Sequence, residues 1–195
     1  MKENKKSVSI GKKILTVLLA VVVAVGVFGA IIGIKTAVED KKYADSLNNV
    51  TTEKIKISRK DKVFSTDKFS ITLTEDFEVF EDEAAEVGAV AKGIEVYAIA
   101  DTFEEGSEES KMDAKEYVES LVGITDTATK ISDYNGLPCV DYKYKGENDD
   151  VVKNYKVFCY KGEDCFWMVH FITESGYANV YKPHIFEWVE TIEAK

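Results

Sequence analysis

From residue 14 to residue 34 the chain reads ILTVLLAVVVAVGVFGAIIGI, 21 positions without a charge, in which only Thr16 is polar outside the glycines. At about 1.5 Å per residue a helix of that length spans about 30 Å, the hydrocarbon thickness of a bilayer. A helix in a soluble core keeps one polar face, so a run apolar on every side predicts a transmembrane helix. Secretory signal cores run to about 7–15 residues and end in a small-x-small site. This run is longer, and its exit VFGAIIGIKTAVED offers only Val27 and Gly29 as a small pair. An uncleaved signal-anchor is therefore expected. No cysteine lies near its end, which argues against a lipoprotein anchor.

Beyond the run, residues 35–60 are polar with few large apolar side chains and read as a stalk. The pattern then turns to folded elements. Phe69, Ile71 and Leu73 alternate with Ser70 and Thr72, the period of a strand with one buried face. Residues 94–100, IEVYAIA, are a second strand. Ala114, Tyr117, Val118, Leu121 and Val122 recur at helical spacing, which predicts a helix over 111–122. Ser110 is placed as its cap, with Asp113 where a capping box usually has Glu or Gln, and Gly123 as its stop. Four strand-like runs follow at 128–134, 137–145, 151–160 and 165–173. Asn135-Gly136, Gly146–Asp150 and Gly162-Glu163 connect them. Such short connections join antiparallel neighbours, so this half is a meander. Tyr177, Tyr181, Ile185, Trp188, Val189 and Ile192 mark a C-terminal helix beginning near Lys182, with Pro183 in its first turn. The expected class is α+β: a mostly antiparallel sheet covered by two helices, preceded by one N-terminal transmembrane helix. The chain divides into a basic tail (1–13), the membrane helix (14–34), the stalk (35–60) and one domain (61–195).

Three strings carry a family resemblance: FSITLTEDFEVFED at 69–82, NGLPCVDYKYKG at 135–146 and DCFWMVHFITESGYANVYKPHIFEWVETI at 164–192. With the element order they resemble the PsbP-like α/β/α sandwich domains of bacterial membrane-anchored proteins. The photosystem II extrinsic subunit and a small Ran-binding protein share that fold. The best matches are Gly136 and Pro138 at a strand start, the apolar strand ending near Phe171, and Tyr-Lys-Pro before Trp188. Where the family usually has a proline after its first strand, this chain has Thr74 and Glu75. The resemblance implies a binding or assembly module with no shared catalytic motif, and it transfers no site residue.

Charge fixes the orientation. The tail carries Lys2, Lys5, Lys6, Lys12 and Lys13 against Glu3 alone. After the membrane run, Lys35, Lys41 and Lys42 are interleaved with Glu39 and Asp40. The richer side stays in the cytoplasm, so the domain is expected outside the cytoplasm of a cell membrane that it crosses once. Lysine outnumbers arginine 24 to 1, a codon bias of AT-rich bacteria. From Tyr43 onward there are 17 basic and 32 acidic residues, a net of −15. An acidic chain repels phosphate, which argues against nucleic acid. The runs at 75–86 and 104–109 lack the alternating ligands and turn glycine of an EF-hand, so solvated loops are expected and no metal.

Gly29 and Gly33 form a G-x-x-x-G pair, with Gly26 and Ala30 beside it. Small residues at that spacing let two helices approach, which makes them candidates for a homodimer through the membrane helix. Glycine is also common in membrane helices, and both readings stay open.

Little else suggests chemistry. No G-x-S-x-G elbow, phosphate loop or H-E-x-x-H string occurs. His170 lies in a strand beside Met168 and Ile172, and His184 follows Pro183; both are expected as packed or surface residues. A hairpin turning at Gly162-Glu163 places Cys159 opposite Phe166 and Cys165 opposite Tyr160, on opposite faces; a three-residue loop would pair the two cysteines. Cys139 and Cys159 could be diagonal neighbours on one face, a poor geometry for a bridge, and all three cysteines are expected as buried free thiols. Tyr142, Tyr144, Tyr155, Phe158, Tyr160 and Trp167 either line a ligand pocket or form the core of the sheet. No cofactor is expected. The leading expectation is a membrane-anchored, non-enzymatic binding or accessory domain with an envelope protein as partner. A carrier or sensor of a small apolar ligand or envelope component, and an enzyme, are the alternatives.

Overall fold

The computed structural model describes residues 55–122, 130–144 and 152–195. The predicted membrane helix with Gly26, Gly29, Ala30 and Gly33, most of the stalk, Gly123 and the Gly146–Asp150 loop lie outside the described residues. Among the described residues no helix is long and apolar enough to cross a membrane.

Two antiparallel sheets pack together. β1 (Asp61–Ser65) and β2 (Phe69–Thr74) form a hairpin, and the C-terminal β10 (Glu193–Ala194) adds to the far side of β2. The larger sheet has seven strands: β3 (Glu78–Val79), β4 (Val87–Ala91), β5 (Ile94–Thr102), β6 (Lys130–Tyr134), β7 (Leu137–Tyr144), β8 (Lys153–Lys161) and β9 (Cys165–Glu174). They lie in the order β3-β4-β5-β9-β8-β7-β6, so β6 to β9 are a meander whose last strand closes on β5. The β6–β7 turn is of the mirror-image type that matches strand twist. Asn135 has φ 52° and Gly136 φ 86°, both in the left-handed region that such a turn requires.

Alternation along the central strands gives the sheet two apolar faces, and each is covered. On one face the small sheet (Phe64, Phe69, Ile71, Leu73) and helix α3 (Ala178–Val189) bury Val96, Phe158, Trp167, Val169 and Phe171. On the other, helix α2 (Ala114–Val122) lays Tyr117, Val118 and Leu121 on Val140, Val157, Cys159, Phe166 and Met168. The expected α+β sandwich is present, and the small sheet shares the α3 side. Ile55 and Ile57, at the end of the predicted stalk, pack against the core, and the Ser58 N–H donates to Asp76 Oδ2 at 2.6 Å.

Two helix starts differ from the sequence reading. The predicted 111–122 helix is two pieces, α1 (Glu108–Lys111) and α2. Ser107 caps the first, accepting from the Ser110 N–H at 3.1 Å. Asp113 caps the second: its Oδ1 accepts from Glu116 N–H at 2.8 Å, while Glu116 Oε2 accepts from Asp113 N–H at 2.9 Å. That is a reciprocal capping box begun three residues later than expected, because Asp113 has a glutamate at the required spacing and Ser110 does not. Helix α3 starts at Ala178, not near Lys182, and carries Pro183 inside. A helix-interior proline costs about 3 kcal/mol. Burial of Tyr181 before it, and of Ile185, Trp188 and Val189 after it, outweighs that cost.

Candidate functional site

The face opposite α3 is only part covered by α2. Register puts Tyr97 of β5, His170 of β9 and Val157 of β8 in one row. The next row is Glu95, Ile172, Tyr155 and Tyr142, and Lys153 with Tyr144 follows. This end of the face is closed by its own tyrosines with Phe80 and Ala85. Tyr142 and Tyr155 stack at 4.6 Å and 10°, Tyr144 meets Tyr155 edge-on at 6.5 Å, and Phe80 meets Tyr97 edge-on at 4.9 Å. The outermost ring, Tyr144, is 43% exposed.

Polar groups rim these rings. Lys153 Nζ lies 3.0 Å from Glu95 Oε1, both side chains more than two-thirds buried, and the Tyr97 hydroxyl donates to Glu95 Oε2 at 3.2 Å. Burial pushes the phenols of Tyr97, Tyr142 and Tyr155 upward. The Glu95 carboxylate adds to this at Tyr97, and after Tyr142 at Tyr155. These phenols are therefore donors over the physiological range, not bases. Tyr97 and Tyr155 are themselves buried, so it is the outer Tyr144 that presents an aromatic ring to solvent.

His170 lies beneath, 3% exposed, and its Nε2 has no hydrogen-bond partner. Burial pushes its pKa down to about 4, so the imidazole is neutral and apolar in its role. His184 sits on the surface of α3, stacked on Trp188 at 5.9 Å, with Nδ1 3.0 Å from Glu187. The two histidines do not share a site. Among the described residues no group of three His, Cys, Asp or Glu is placed to hold a metal.

The predicted aromatic set does not line one pocket. Tyr142, Tyr144 and Tyr155 belong to the tyrosine face, whereas Phe158, Tyr160 and Trp167 project to the α3 side. There the Tyr160 hydroxyl donates to the Val189 carbonyl at 3.1 Å and the Trp167 Nε1–H to the Lys195 carbonyl at 3.2 Å. Surface clefts of about 370 Å³ (Ile55, Ile57, Phe77, Ala91, Tyr181) and 430 Å³ (Leu137, Pro138, Tyr160, Ile192) lie away from the tyrosine face.

The cysteines need two corrections. Lys161 pairs with Phe166 and Cys159 with Met168, so the last hairpin is longer than a turn at Gly162-Glu163. Gly162 is held against the C-terminal backbone, where an added Cβ would lie 2.5 Å from the Lys195 carbonyl, and its N–H donates to the Cys165 carbonyl at 2.8 Å. Cys159 and Cys165 still point to opposite faces. Cys139 pairs with Phe158 and shares its face, so it is not on the face of Cys159. All three are buried free thiols.

Tyr97, Glu95, Lys153 and Phe80 escaped the sequence reading. Residues 94–100 are legible as a strand, but nothing local says that they pair with β9.

No family model and no curated protein matches the sequence. In fold the chain is similar to the solution structure of cyanobacterial PsbP from Synechocystis sp. PCC 6803. The two are 8% identical, with 76% of this chain and 99% of that one covered, at a TM-score of 0.46. It is also similar to a crystal structure from Bacteroides thetaiotaomicron VPI-5482, 13% identical, with a TM-score of 0.47. That likeness covers 65% of this chain and only 45% of the other. Both are likenesses of fold alone, and neither carries an activity, ligand or partner to this chain.

Proposed function

We propose that the protein is a single-pass, membrane-anchored, non-enzymatic accessory domain that stands outside the cytoplasm and docks on another envelope protein through its tyrosine face. The observation that carries the docking surface is the stacked Tyr142–Tyr155 pair ending in half-exposed Tyr144, with the Glu95–Lys153 ion pair at its rim. Tyrosine is enriched at protein interfaces because it brings large apolar area and a polar tip at low entropic cost. The uncharged run 14–34 and the five lysines before it support the anchor and its orientation. The net of −15 beyond Tyr43 favours a partner surface that is basic. Gly29 and Gly33, flanked by Gly26 and Ala30, supply the face through which two such helices would form a homodimer.

The test uses the full-length protein in its own cells. A Val63→Cys variant, at a position 62% exposed, reports the side of the membrane. Labelling by a membrane-impermeant maleimide in intact cells supports the outward orientation; labelling only after lysis refutes it. After crosslinking, the wild type should retain one stoichiometric envelope protein that a Tyr142→Ala/Tyr144→Ala variant loses. Recovery of the protein alone from both would sink the accessory reading.

A further inference from the structure

On the α3 side of the sheet a second polar cluster sits where β6, β7 and β8 run side by side. Cys139 and Asp141 are two residues apart on β7, and Asp141 pairs directly with Lys156 of β8. Lys156 Nζ forms an ion pair with Asp141 Oδ1 and reaches Cys139 Sγ at 3.8 Å. Ser132, opposite Cys139 on β6, places its hydroxyl 3.4 Å from Asp141 Oδ2. The ammonium also stands over the Phe186 ring of α3 at 5.4 Å. Lysine is thus held on the thiol by a carboxylate on one side and an aromatic face on another.

We infer that Cys139 and Lys156 are an oxidative modification site, at which peroxide joins sulfur to nitrogen through one bridging oxygen. The first equivalent of hydrogen peroxide converts the thiol to sulfenic acid and releases one water. The sulfenic oxygen then lies between sulfur and Nζ. A second equivalent forms the N–O bond: the Lys156 ammonium gives one proton to solvent, and the sulfenic acid R–S–OH, the amine R′–NH2 so formed and one hydrogen peroxide give R–S–O–NH–R′ and two waters. Sulfur and nitrogen each give up two electrons, and the two peroxides accept all four. Asp141 takes no part in the balance; it positions the amine.

The other two thiols lack this arrangement. Cys159 is buried in the apolar seam under α2. Cys165 neighbours Asp164, whose carboxylate holds Lys68 Nζ at 2.6 Å. At Cys139, burial pushes the thiol up to about 11 and the Lys156 charge pulls the other way. Cys139 itself is 1% exposed, and the cluster meets solvent at its polar end, where the Asp141 side chain is 38% exposed. The link would tie β7 to β8 and remove one positive charge, leaving Asp141 without its partner.

The test is intact-mass and peptide analysis of the full-length protein, purified in detergent under reductant and then exposed to hydrogen peroxide. The expected product gains one oxygen less two hydrogens, joins the Cys139 and Lys156 peptides, and reverts with dithiothreitol. Lys156→Arg keeps the charge beside Asp141 and so keeps the fold, yet it should lose the product completely. Cys159→Ser should leave it unchanged. A thiol that stays unmodified, a Cys139 that advances to sulfinic acid without joining Lys156, or the same mass change in Lys156→Arg would overturn the assignment.

Discussion

His170 offers a direct reading of the core's electrostatics. Its imidazole lies in the middle of β9, opposite Tyr97 and Val157 and between Met168 and Ile172. Desolvation alone lowers its pKa from 6.5 to about 4, with no charged partner contributing. The unfolded chain therefore binds a proton at a pH where the native state does not. Stability is fully present above pH 6.5 and is lost as pH falls toward 4. At about 1.4 kcal/mol per pH unit, the loss accumulated between pH 7.5 and pH 5 is about 2 kcal/mol. His170→Leu removes that loss, and at pH 7.5 it also removes the orphaned Nε2, a gain of about 1 kcal/mol. The assay is urea unfolding of both proteins at the two pH values. Carboxylate titration is common to both and cancels in the difference. The variant's advantage should grow by about 2 kcal/mol from pH 7.5 to pH 5. An advantage that stays constant with pH would refute the buried, neutral imidazole. A variant less stable at pH 7.5 would show that the imidazole has a partner it needs.

Three further outcomes follow from local geometry. Asp113→Ala removes the carboxylate half of the reciprocal cap on α2 and should cost about 1 kcal/mol in urea unfolding; no shift in midpoint would contradict the cap. Gly93→Ala should cost more than about 1 kcal/mol and lower the melting temperature by several degrees. Gly93 has φ +74°, and a Cβ there would overlap the Tyr177 ring. Freshly reduced protein should withhold Cys159 and Cys165 from a thiol reagent on mixing and expose them in denaturant; rapid reaction of either in the native state would contradict their burial.

The parts of the fold that were legible in the sequence are those fixed by neighbours along the chain. Asn135-Gly136 specifies its own turn, period-two apolarity marks β2, and runs rich in apolar and aromatic residues mark β5, β8 and β9 whatever they pair with. β4 is not legible along the chain, since VGAVA between an acidic run and Lys92-Gly93 shows no clear alternation; it is a strand because β5 pairs with it. The start of α2 was misplaced because Ser110 and Asp113 are both good caps, and only the reciprocal bond with Glu116 decides between them. The last hairpin was shortened in the reading because its register depends on Gly162 packing against Lys195, a contact made across the whole domain. The same limit applies to the candidate site. Tyr142 and Tyr144 share a face by alternation alone, but Tyr155 joins them through the β7–β8 register, and Tyr97 and Glu95 only through the β5–β9 pairing. Cys139 meets Lys156 diagonally, which becomes readable only once Asp141 is known to face Lys156.

The docking role of the tyrosine face is tested most directly by site-specific photocrosslinking in living cells. A photoreactive amino acid replaces Tyr144 in one strain and Val63, exposed on the small sheet, in another. A single envelope-protein adduct is expected from position 144 and none from position 63. Equal adducts from both positions, or none from 144 while 63 yields one, would contradict it.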